Sequence, residues 1–392
     1  MLLCIKFQGL EIKMDKEILV NGKLLKCGFT TGACAQAAAK ACALMIKNNK
    51  IEEFVEIELP DGSLADFKIE YASFSKTFAK CAVKKYAGDD PDVTDGVYVY
   101  VSIQEKKDGK ICFVAGEGVG TVIKPGLFLE IGEAAINPVP REYIKKELVN
   151  IFGKKRGFSI KISIPDGELI SKKTFNSRIG VEGGLSILGT TGRVKPMSNE
   201  ALQKTILLEI KQKTYSKPPF ICLVLGNYGE KIADTLNIPK DRQVMCSNFI
   251  GYAVDALKIE NIKKVLIIGH IGKISKVSAG IFNTHSHIAD ARAEVFAAKL
   301  LDYGRVDLAL EALRCNTTEQ LSSEIIEKGE KAFFDFLTGN IKSRIEQRVL
   351  NEVDIEVLTF SFNKGILGFT GETFKECLSN ETKDKSFRDR TR

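Results

Sequence analysis

Short apolar runs alternate with helical segments through the second half of the chain, and this rhythm limits the fold more than any other feature of the sequence. Phe220–Leu225, Val244–Cys246 and Lys264–Gly269 have the length and composition of buried strands. Helical patterns separate them, and polar or glycine-containing turns follow each run. Strands that alternate with helices favour a parallel sheet with helices on both faces. The sequence therefore predicts a Rossmann-like α/β lobe with a mainly parallel sheet from residue 197 onward.

The turns that follow these three runs are natural positions for ligand contacts. In an open parallel sheet, ligands bind in the crevice beyond the carboxyl ends of the strands. We expect the three turns to meet there, at one edge of the sheet. Their candidate contact residues are Gly226, Asn227, Ser247, Asn248, His270 and Lys273.

The first half of the chain has more strand-like runs than helical ones, and it predicts an N-terminal α+β lobe. Strands are expected at Phe54–Leu59, Phe67–Glu70, Gly96–Val101, Ile111–Val114 and Phe158–Ile164, and a helix at Pro140–Phe152. In the second half we expect helices at Ser198–Lys211 and Ser247–Leu257, a largely helical stretch at Ala289–Arg348, and an edge strand at Ile355–Phe360. The chain then divides into an N-terminal extension (1–26), the α+β lobe (27–196), the Rossmann-like lobe (197–378) and a disordered basic tail (379–392).

Composition limits the class of protein and its partners. The 392 residues are 44% apolar and 27% charged, as in soluble globular proteins, and no apolar run is long enough to span a bilayer. The ten cysteines include no Cys-x-x-Cys pair, and the N-terminus lacks a signal-peptide pattern, so we expect reduced thiols in the cytoplasm. The net charge of +7 suits an acidic small molecule, and aromatic residues are not interleaved with Lys and Arg as nucleic-acid binding requires.

A threonine-rich turn precedes a long alanine-rich helix near the start of the first lobe. Thr30 and Thr31 are able to cap the first helical turn, and Gly32 allows the chain to bend sharply. The simpler interpretation is a capped helix that packs through its alanines. The alternative is an anion site for a carboxylate or phosphate at the helix start.

Four aspartates fall within seven positions of the segment YAGDDPDVTDG, namely Asp89, Asp90, Asp92 and Asp95. The spacing is similar to that of a calcium loop, but Pro91 interrupts it and the final glutamate is absent. A cation site, an acidic loop that binds a ribose or an amine, and a solvated turn all remain open.

Two further glycine-rich segments carry candidate residues. In VAGEGVG the residues Glu117 and Gly118 follow a strand, but no helix follows, so the dinucleotide-binding context fails and the glycines favour close backbone approach. In TFNSRIGVEGGLSILGTTGRVKP the sequence predicts either a hinge or ligand-contacting backbone. Its polar candidates are Asn176, Arg178, Glu182, Thr190, Thr191, Arg193 and Lys195.

All three histidines lie in one segment, GHIGKISKVSAGIFNTHSHIADAR. His285 and His287 would need a third ligand such as Asp290 to bind zinc, and no Cys or Glu has metal-site spacing here. The confinement of His270, His285 and His287 to one glycine-containing stretch favours an active-site role over chance placement in a core.

These segments together resemble the motif set of the CbiD family, the cobalt-precorrin-5B C1-methyltransferases of anaerobic cobalamin biosynthesis. The resemblance extends from about Lys26 to Thr318 and rests on CGFTTGACAQAAAKA, YAGDDPDVTDG, GEGVGTVIKPGL, GEAAINPVPR, TFNSRIGVEGGLSILGTTGRVKPMS, MCSNFIGYA and GHIGKISKVSAGIFNTHSHIADAR. It implies methyl transfer from S-adenosylmethionine to C1 of cobalt-precorrin-5B, which gives cobalt-precorrin-6A. The cobalt arrives within the substrate, so no protein metal site is implied.

The resemblance also suggests roles for the candidate residues. His270 or His285 would accept a proton or hydrogen-bond the substrate. The carboxylates of the macrocycle would be held by Thr30, Thr31, Gly32, Arg141, Asn176, Arg178, Thr190, Thr191, Lys195 and Lys273. The methyl donor would contact Asp89, Asp90, Glu117, Gly118, Gly226, Asn227, Ser247 and Asn248.

The sequence also predicts which partners the protein has, and it leaves two other functions open. The partners considered are the small-molecule corrinoid, a second copy of the chain and neighbouring pathway enzymes, with neither nucleic acid nor membrane. One rival function is a phosphate-handling enzyme with a nucleotide at one of the two Thr-Thr-Gly turns, although no P-loop sequence is present. The other is a non-catalytic tetrapyrrole carrier.

Overall fold

The computed structural model describes residues 16–20, 22–125, 127–176 and 179–379. It is a mixed α/β structure that divides into two compact units, Met1–Asn199 and Glu200–Arg392. The α/β class predicted from the sequence is thereby confirmed. The basic tail from residue 380 onward and most of the N-terminal extension lie outside the described residues.

The N-terminal unit contains three helices and thirteen strands within its described residues. The helices are α1 (Thr31–Asn48), α2 (Pro138–Phe152) and α3 (Gly167–Ser171). The strands are β1 (Glu17–Val20), β2 (Lys23–Lys26), β3 (Gly28–Phe29), β4 (Phe54–Glu58), β5 (Leu64–Lys68), β6 (Tyr71–Phe74), β7 (Phe78–Lys84), β8 (Tyr98–Lys106), β9 (Ile111–Ala115), β10 (Thr121–Val122), β11 (Gly157–Ser163), β12 (Val181–Glu182) and β13 (Arg193–Val194).

A five-stranded sheet in the order β6-β7-β8-β11-β9 forms the centre of this unit. Its strands pair antiparallel except β11 and β9, which are parallel. Alternate residues of β8 are buried, as expected for a strand with one face on the core. The remaining strands form four two-stranded pairs, β1-β2, β3-β13, β4-β5 and β10-β12.

Helix α1 packs against this sheet and against α2, and nearly all of its length is buried. Thr30 is its N-cap, because the Thr30 hydroxyl accepts a hydrogen bond from the backbone N–H of Ala33 at 3.2 Å. Asn49 ends the helix in the left-handed conformation with φ of 55°. The small alanine side chains let neighbouring elements approach the helix closely on several sides. The prediction of a capped helix packed through its alanines is confirmed.

The C-terminal unit contains eight α-helices and five strands within its described residues, and a further helical segment runs through residues 372–379. The helices are α4 (Asn199–Thr214), α5 (Asn227–Thr235), α6 (Ile250–Ile259), α7 (Ile271–Ile274), α8 (Arg292–Asp302), α9 (Val306–Ala312), α10 (Thr318–Glu327) and α11 (Ala332–Arg348). The strands are β14 (Ile221–Val224), β15 (Gln243–Met245), β16 (Lys264–His270), β17 (Asp354–Ser361) and β18 (Gly365–Phe369).

The five strands form one sheet in the order β15-β14-β16-β17-β18, and the first four are parallel. Both faces of this sheet are buried. Leu223 and Ile267 belong to one hydrophobic cluster, whereas their neighbours Val224 and Ile268 belong to another. Burial on both faces explains why these strands are continuous apolar runs in the sequence. Among the described residues, no helix is both long and apolar enough to cross a membrane.

The strand predicted at Ile355–Phe360 exists as β17, but its predicted edge position is wrong. β17 pairs with β16 on one side and with the antiparallel β18 on the other. The edge strand next to β17 is β18, whose sequence GILGF contains two glycines that weaken its strand pattern.

Candidate functional site

The carboxyl edge of the parallel sheet in the C-terminal unit brings the predicted turns together. β14 lies between β15 and β16. The chain runs from β14 to β15 on one side and then crosses to β16 on the other side of β14. In a parallel sheet such a reversal places the ligand crevice between the two turns concerned, which here are the turns that follow β14 and β16. The residues that line the start of these turns are Gly226 and Asn227 on one side and His270 on the other.

Gly226 gives this crevice space on the β14 side. Its φ of 100° is strained for any other residue, and a Cβ at this position would meet no heavy atom within 4 Å. Asn227 begins α5 directly after it, and no side chain caps the start of that helix in the described structure. The turn therefore leaves room for another molecule beside the backbone.

His270, on the other side, is held by both ring nitrogens. The backbone N–H of Gly272 donates to Nδ1 at 3.2 Å, and Nε2 lies 2.6 Å from Oε1 of Glu319. Because Nδ1 accepts a hydrogen bond, the ring proton belongs on Nε2, which donates to the carboxylate. His270 thus begins α7 as its N-cap, and both nitrogens are engaged within the chain.

The Glu319 side chain links two turns at this edge, and sequence reasoning missed it. Its carboxylate accepts from His270 and also from the backbone N–H groups of Phe362 and Asn363, each at 3.1 Å. One carboxylate at the start of α10 therefore joins the turn after β16 to the turn after β17. No local sequence signal marks Glu319, because its partners lie more than 40 residues away in both directions.

Two exposed aromatic rings lie beside this pair. Phe362 stacks on the His270 imidazole with 4.2 Å between ring centres, and Tyr228 meets Phe362 edge to face at 4.6 Å. The Tyr228 residue is 56% exposed and Phe362 is 54% exposed. Both follow strands of the same sheet, so the position of each in a strand-end turn was visible in the sequence.

The turn after β15 is bound to the histidine-containing segment. The Thr284 backbone N–H donates to the Asn248 carbonyl at 2.9 Å, while Ser247 adopts a positive φ of 52°. Lys276 lies buried beneath this segment and donates from Nζ to the carbonyls of Thr284 and Ala289 at 2.5 and 3.0 Å. Burial lowers the pKa of the Lys276 ammonium. These bonds fix the segment that carries His285 and His287.

His285 and His287 are exposed, and their hydrogen bonds are local. The His287 N–H donates to His285 Nδ1 at 3.2 Å. The Asp290 carboxylate is bound to the Arg292 guanidinium, with Nε 2.6 Å from Oδ1. Across the described parts of the chain, no three His, Cys, Asp or Glu side chains come together as metal ligands would. The zinc alternative therefore has no supporting geometry here.

Lys273 is a cation at this edge, and it was predicted from the sequence. It follows His270 in α7 and is partly buried, and the described residues offer it no carboxylate partner. Burial lowers the pKa of its ammonium, while the nearby Cys246 acts in the opposite direction. A partly desolvated ammonium without a counter-ion is suited to an anionic ligand group.

In the N-terminal unit, the two Thr-Thr-Gly segments lie against each other. The Thr30 N–H and hydroxyl both donate to the carbonyl of Gly192, at 3.0 and 3.2 Å. The Thr31 hydroxyl donates to the Ser186 carbonyl and accepts from the Leu188 N–H, each at 3.0 Å. The Gly32 N–H donates to the Leu188 carbonyl. These groups anchor the glycine-rich segment, and their contact with a substrate stays a prediction.

The predicted cations differ in availability. Arg141 donates to the carbonyls of Ile136 and Ala134 and to Glu133 Oε1, so all three of its nitrogens are used within the unit. Thr190 and Lys195 are exposed. Arg178 lies outside the described residues.

Arg193 and two other polar candidates of the glycine-rich segment bond within the unit. The Arg193 Nε donates to the Ser63 hydroxyl at 3.2 Å. Asn176 is buried and donates to the Gly184 carbonyl at 3.0 Å, and the Thr191 hydroxyl donates to the carbonyl of Arg193 and accepts from its N–H. These three side chains shape the segment from within.

The four aspartates of the acidic loop point to four different partners. Asp89 accepts from the Lys26 N–H, Asp90 from the Met197 N–H and Asp95 from the Ala87 N–H, all within 2.9 Å. Asp92 is paired with the buried Lys85, with 2.7 Å between Oδ2 and Nζ. The loop thus binds backbone segments of its own unit, and its carboxylates do not converge on one point as calcium ligands do.

Gly118 is explained by close backbone packing. Its φ is 67°, and a Cβ there would lie 2.0 Å from the Ile164 carbonyl oxygen. The Leu185 N–H donates to the Gly118 carbonyl at 2.8 Å, and Glu117 beside it is exposed. The expectation that these glycines permit close approach of backbone segments is confirmed.

The fold therefore defines a mixed α/β protein whose parallel sheet gathers its turns at one edge. Two family models match the chain: CbiD over residues 18–196, and CbiD, C-terminal domain, over residues 283–371. Together with the relatives described next, these matches assign the family. The chain belongs to the CbiD family.

Curated relatives match along almost the whole chain, and those cited here are named cobalt-precorrin-5B C(1)-methyltransferase. The protein of Alkaliphilus metalliredigens is 41% identical to this chain, and the matched region covers 94% of this chain and 99% of the relative. The protein of Thermosipho africanus is 43% identical, with 90% and 99% covered, and that of Treponema denticola is 41% identical, with 91% and 100% covered.

A crystal structure described as cobalamin biosynthesis protein (cbiD) from Archaeoglobus fulgidus also matches. It is 25% identical and covers 74% of this chain and 93% of its own, with a TM-score of 0.37. That score is too low to bear on the fold, which rests on the strand pairings given above.

Proposed function

We propose that this protein transfers the methyl group of S-adenosylmethionine to C1 of cobalt-precorrin-5B and so forms cobalt-precorrin-6A in anaerobic cobalamin biosynthesis. The observation that carries the proposal is the identity of about 40% along nearly the full length of relatives that bear this enzyme name. The crevice at the sheet edge is compatible with it, because Gly226 leaves room beside the backbone and two aromatic rings are exposed nearby.

For this reaction the protein needs to align the two substrates more than it needs to activate either of them chemically. The sulfonium of the donor supplies an activated methyl group to an electron-rich ring carbon. The chain must hold both molecules in line, exclude water and bind the carboxylates of the macrocycle. Cobalt belongs to the substrate and requires no ligand from the protein.

For the methyl donor, the turns of the Rossmann-like C-terminal lobe are the better of the two predicted regions. Gly226 and Asn227 border the crevice and have space beside them, while Ser247 and Asn248 lie in the neighbouring turn. In the other region Asp89 and Asp90 already accept backbone N–H groups, and Gly118 is packed against backbone; Glu117 there is exposed.

Of the described cations predicted to hold the carboxylates of the substrate, Lys195 and Lys273 have no carboxylate partner among the described residues, and Thr190 adds an exposed hydroxyl. Thr30, Thr31, Gly32, Asn176 and Thr191 shape the glycine-rich segment that carries Thr190 and Lys195. Arg141 is committed to its own unit, so it would reach a ligand only by giving up an existing bond.

A general base is a smaller part of the proposal. His285 is exposed, but its Nδ1 accepts the His287 N–H, and His270 uses both nitrogens. His285 therefore has only Nε2 free to bond a substrate. His270 would contribute by holding the turn in place, because both of its nitrogens are already bonded. We therefore assign alignment of the two substrates, and not proton transfer by a histidine, as the main contribution of the protein.

We also propose a division of the chain, a location and partners. The chain comprises an N-terminal extension (1–26), an α+β lobe (27–196), the Rossmann-like lobe (197–378) and a basic tail (379–392). It works in the cytoplasm, with the corrinoid as ligand and with a second copy or neighbouring pathway enzymes as partners.

The test is methyl transfer under anaerobic conditions. Purified protein, cobalt-precorrin-5B and donor with a trideuterated methyl group should give a product heavier by one labelled methyl group. An unchanged corrinoid mass in the presence of folded protein contradicts the proposal. Equilibrium dialysis with labelled S-adenosylhomocysteine separates the rivals, because a tetrapyrrole carrier binds the corrinoid alone and a phosphate-handling enzyme binds nucleotide instead.

A further inference from the structure

The exposed aromatic pair Tyr228 and Phe362 has a defined support. Phe362 rests on the His270 imidazole, and the buried Phe360 meets both rings edge to face, at 5.5 Å from His270 and 6.3 Å from Phe362. Lys231 places its Nζ 5.4 Å from the centre of the Tyr228 ring. More than half of each exposed residue nevertheless remains accessible.

Glu319 holds this arrangement through charge-assisted hydrogen bonds. Its carboxylate fixes the His270 ring on one side and the backbone at Phe362 and Asn363 on the other. Such bonds are shorter and stronger than those between neutral groups. The stacked geometry of Phe362 on His270 therefore depends on one side chain from α10.

The location of the pair indicates its ligand. Tyr228 follows the crevice glycine after β14, and Phe362 follows β17, so the rings flank the His270 turn at the strand-order reversal. Ligands with nucleotide-like parts bind at such reversals. Exposed aromatic rings stack on planar bases irrespective of the hydrogen-bonding pattern of the base.

We propose that Tyr228 and Phe362 form the surface on which the purine ring of the methyl donor stacks, and that Glu319 is the positioning residue that keeps Phe362 and His270 in place. The inference rests on the proposed function and adds to it the residues that bind the donor. His270 is then part of the support and holds no proton for the reaction.

A tryptophan probe tests the contact directly. The chain contains no tryptophan, so Phe362→Trp introduces a single reporter at the proposed surface. Addition of adenosine or S-adenosylhomocysteine to the full-length variant should quench its fluorescence with saturation. Unchanged fluorescence at concentrations at which dialysis shows bound S-adenosylhomocysteine overturns the proposal. Wild-type protein that binds no S-adenosylhomocysteine at all contradicts the proposed function instead.

Removal of each ring tests how much it contributes to the affinity for S-adenosylhomocysteine. Tyr228→Ala and Phe362→Ala should each weaken S-adenosylhomocysteine binding roughly tenfold, the effect typical of one stacked base. Tyr215→Ala is the matched control, since Tyr215 is a similarly exposed tyrosine of the same unit at 67% exposure. Full donor affinity in both variants, or loss of corrinoid binding with donor binding intact, overturns the proposal.

The positioning role of Glu319 has its own signature. Glu319→Ala should raise the KM for the donor roughly tenfold while kcat and the KM for the corrinoid change less than twofold, because the variant disturbs one binding surface only. Glu319→Gln, which keeps the acceptor oxygen, should recover part of the loss. Glu327→Ala on the same helix is the control. Equal effects of Glu319→Ala on both substrates would indicate a merely structural role and overturn the assignment.

Discussion

At the scale of single residues, Thr31 illustrates how polar groups of this chain are used for anchoring. Its buried hydroxyl donates to Ser186 and accepts from Leu188, in the segment more than 150 residues further along the chain. Thr31→Val keeps the shape but removes the hydroxyl bonds to the partly buried Leu188 N–H and to the Ser186 carbonyl. We expect the free energy of unfolding to fall by about 1–3 kcal/mol, measured by urea denaturation.

Thr190→Val provides the comparison for Thr31→Val. Thr190 has the same side chain but is exposed, so its substitution should change the free energy of unfolding by less than about 0.5 kcal/mol. If both variants were equally stable, the hydrogen bonds of Thr31 would contribute nothing, contrary to the structure.

The ion pair of Asp92 and Lys85 gives a prediction that depends on pH. Burial raises the pKa of Asp92, but Lys85 and the N–H and hydroxyl of Thr94 lower it by more, so the native pKa lies below 3.8. A carboxyl group with a lowered native pKa adds stability above its unfolded pKa, and this stability is lost as the pH falls through the native value. Wild-type stability should therefore drop steeply below pH 3.8, with a smaller drop in Asp92→Asn.

At neutral pH, Asp92→Asn should cost about 3 kcal/mol, because it leaves the Lys85 ammonium buried without a counter-charge. Asp90→Asn is the matched control in the same loop, since an amide oxygen is still able to accept the Met197 N–H. Chemical denaturation across a pH series measures both. If Asp92→Asn and Asp90→Asn lowered the free energy of unfolding equally, the Asp92–Lys85 ion pair would not have the stabilising role given to it.

The sequence identified single candidate residues better than it identified which residues contact one another. His270, Lys273 and Gly226 were found because they follow apolar runs, which is a local signal. Glu319 had no such signal, since its meaning arises only when α10 meets the turns of two strands.

At the scale of elements, prediction succeeded where burial is simple. β14 and β16 are buried on both faces, so their apolar runs were visible without the structure. β7 was missed because FAKCAVK mixes small residues with lysines and blurs the alternation of a strand. The predicted Phe67–Glu70 strand proved to be β5, which begins three residues earlier at Leu64.

Gly118 tests how closely two backbone segments must approach in the N-terminal unit. Gly118→Ala places a Cβ against the Ile164 carbonyl, and backbone atoms cannot move aside as a flexible side chain would. Gly183→Ala is the matched control, because its φ of 79° is similar but no atom lies within 4 Å. The control should cost roughly 1–2 kcal/mol for the left-handed conformation alone.

The additional cost in Gly118→Ala should be about 1–3 kcal/mol, the usual penalty of overpacking. Thermal unfolding of both variants, followed by circular dichroism, gives the comparison. Equal stability of the two would mean that the backbone contact is looser than described.

At the scale of the whole molecule, the division into two units and the α/β class followed from the change of rhythm near residue 197. The sequence placed candidates for donor binding in both halves and had no means of choosing, since an acidic loop and a strand-end turn have equally suitable chemistry. The two regions differ in the structure, because Asp89 and Asp90 already accept backbone N–H groups and no heavy atom lies within 4 Å of a Cβ placed on Gly226.

Amide hydrogen exchange on the intact protein tests that distinction. S-adenosylhomocysteine should slow exchange in residues 226–230, 270–273 and 361–363 and leave residues 86–96 and 116–120 unchanged, because bound ligand shields and stabilises the backbone it touches. Protection confined to residues 86–96 would move the donor to the acidic loop.

The buried cysteines have a practical consequence for studying each unit. Cys34, Cys42 and Cys81 lie inside the N-terminal unit, and Cys222 and Cys246 lie inside the C-terminal one. Burial raises the pKa of Cys34 and of Cys246 to about 12, so in the folded protein these thiols are both shielded and protonated. An alkylating reagent followed by peptide mapping would therefore time the opening of each half separately, with no label having to be engineered into the chain.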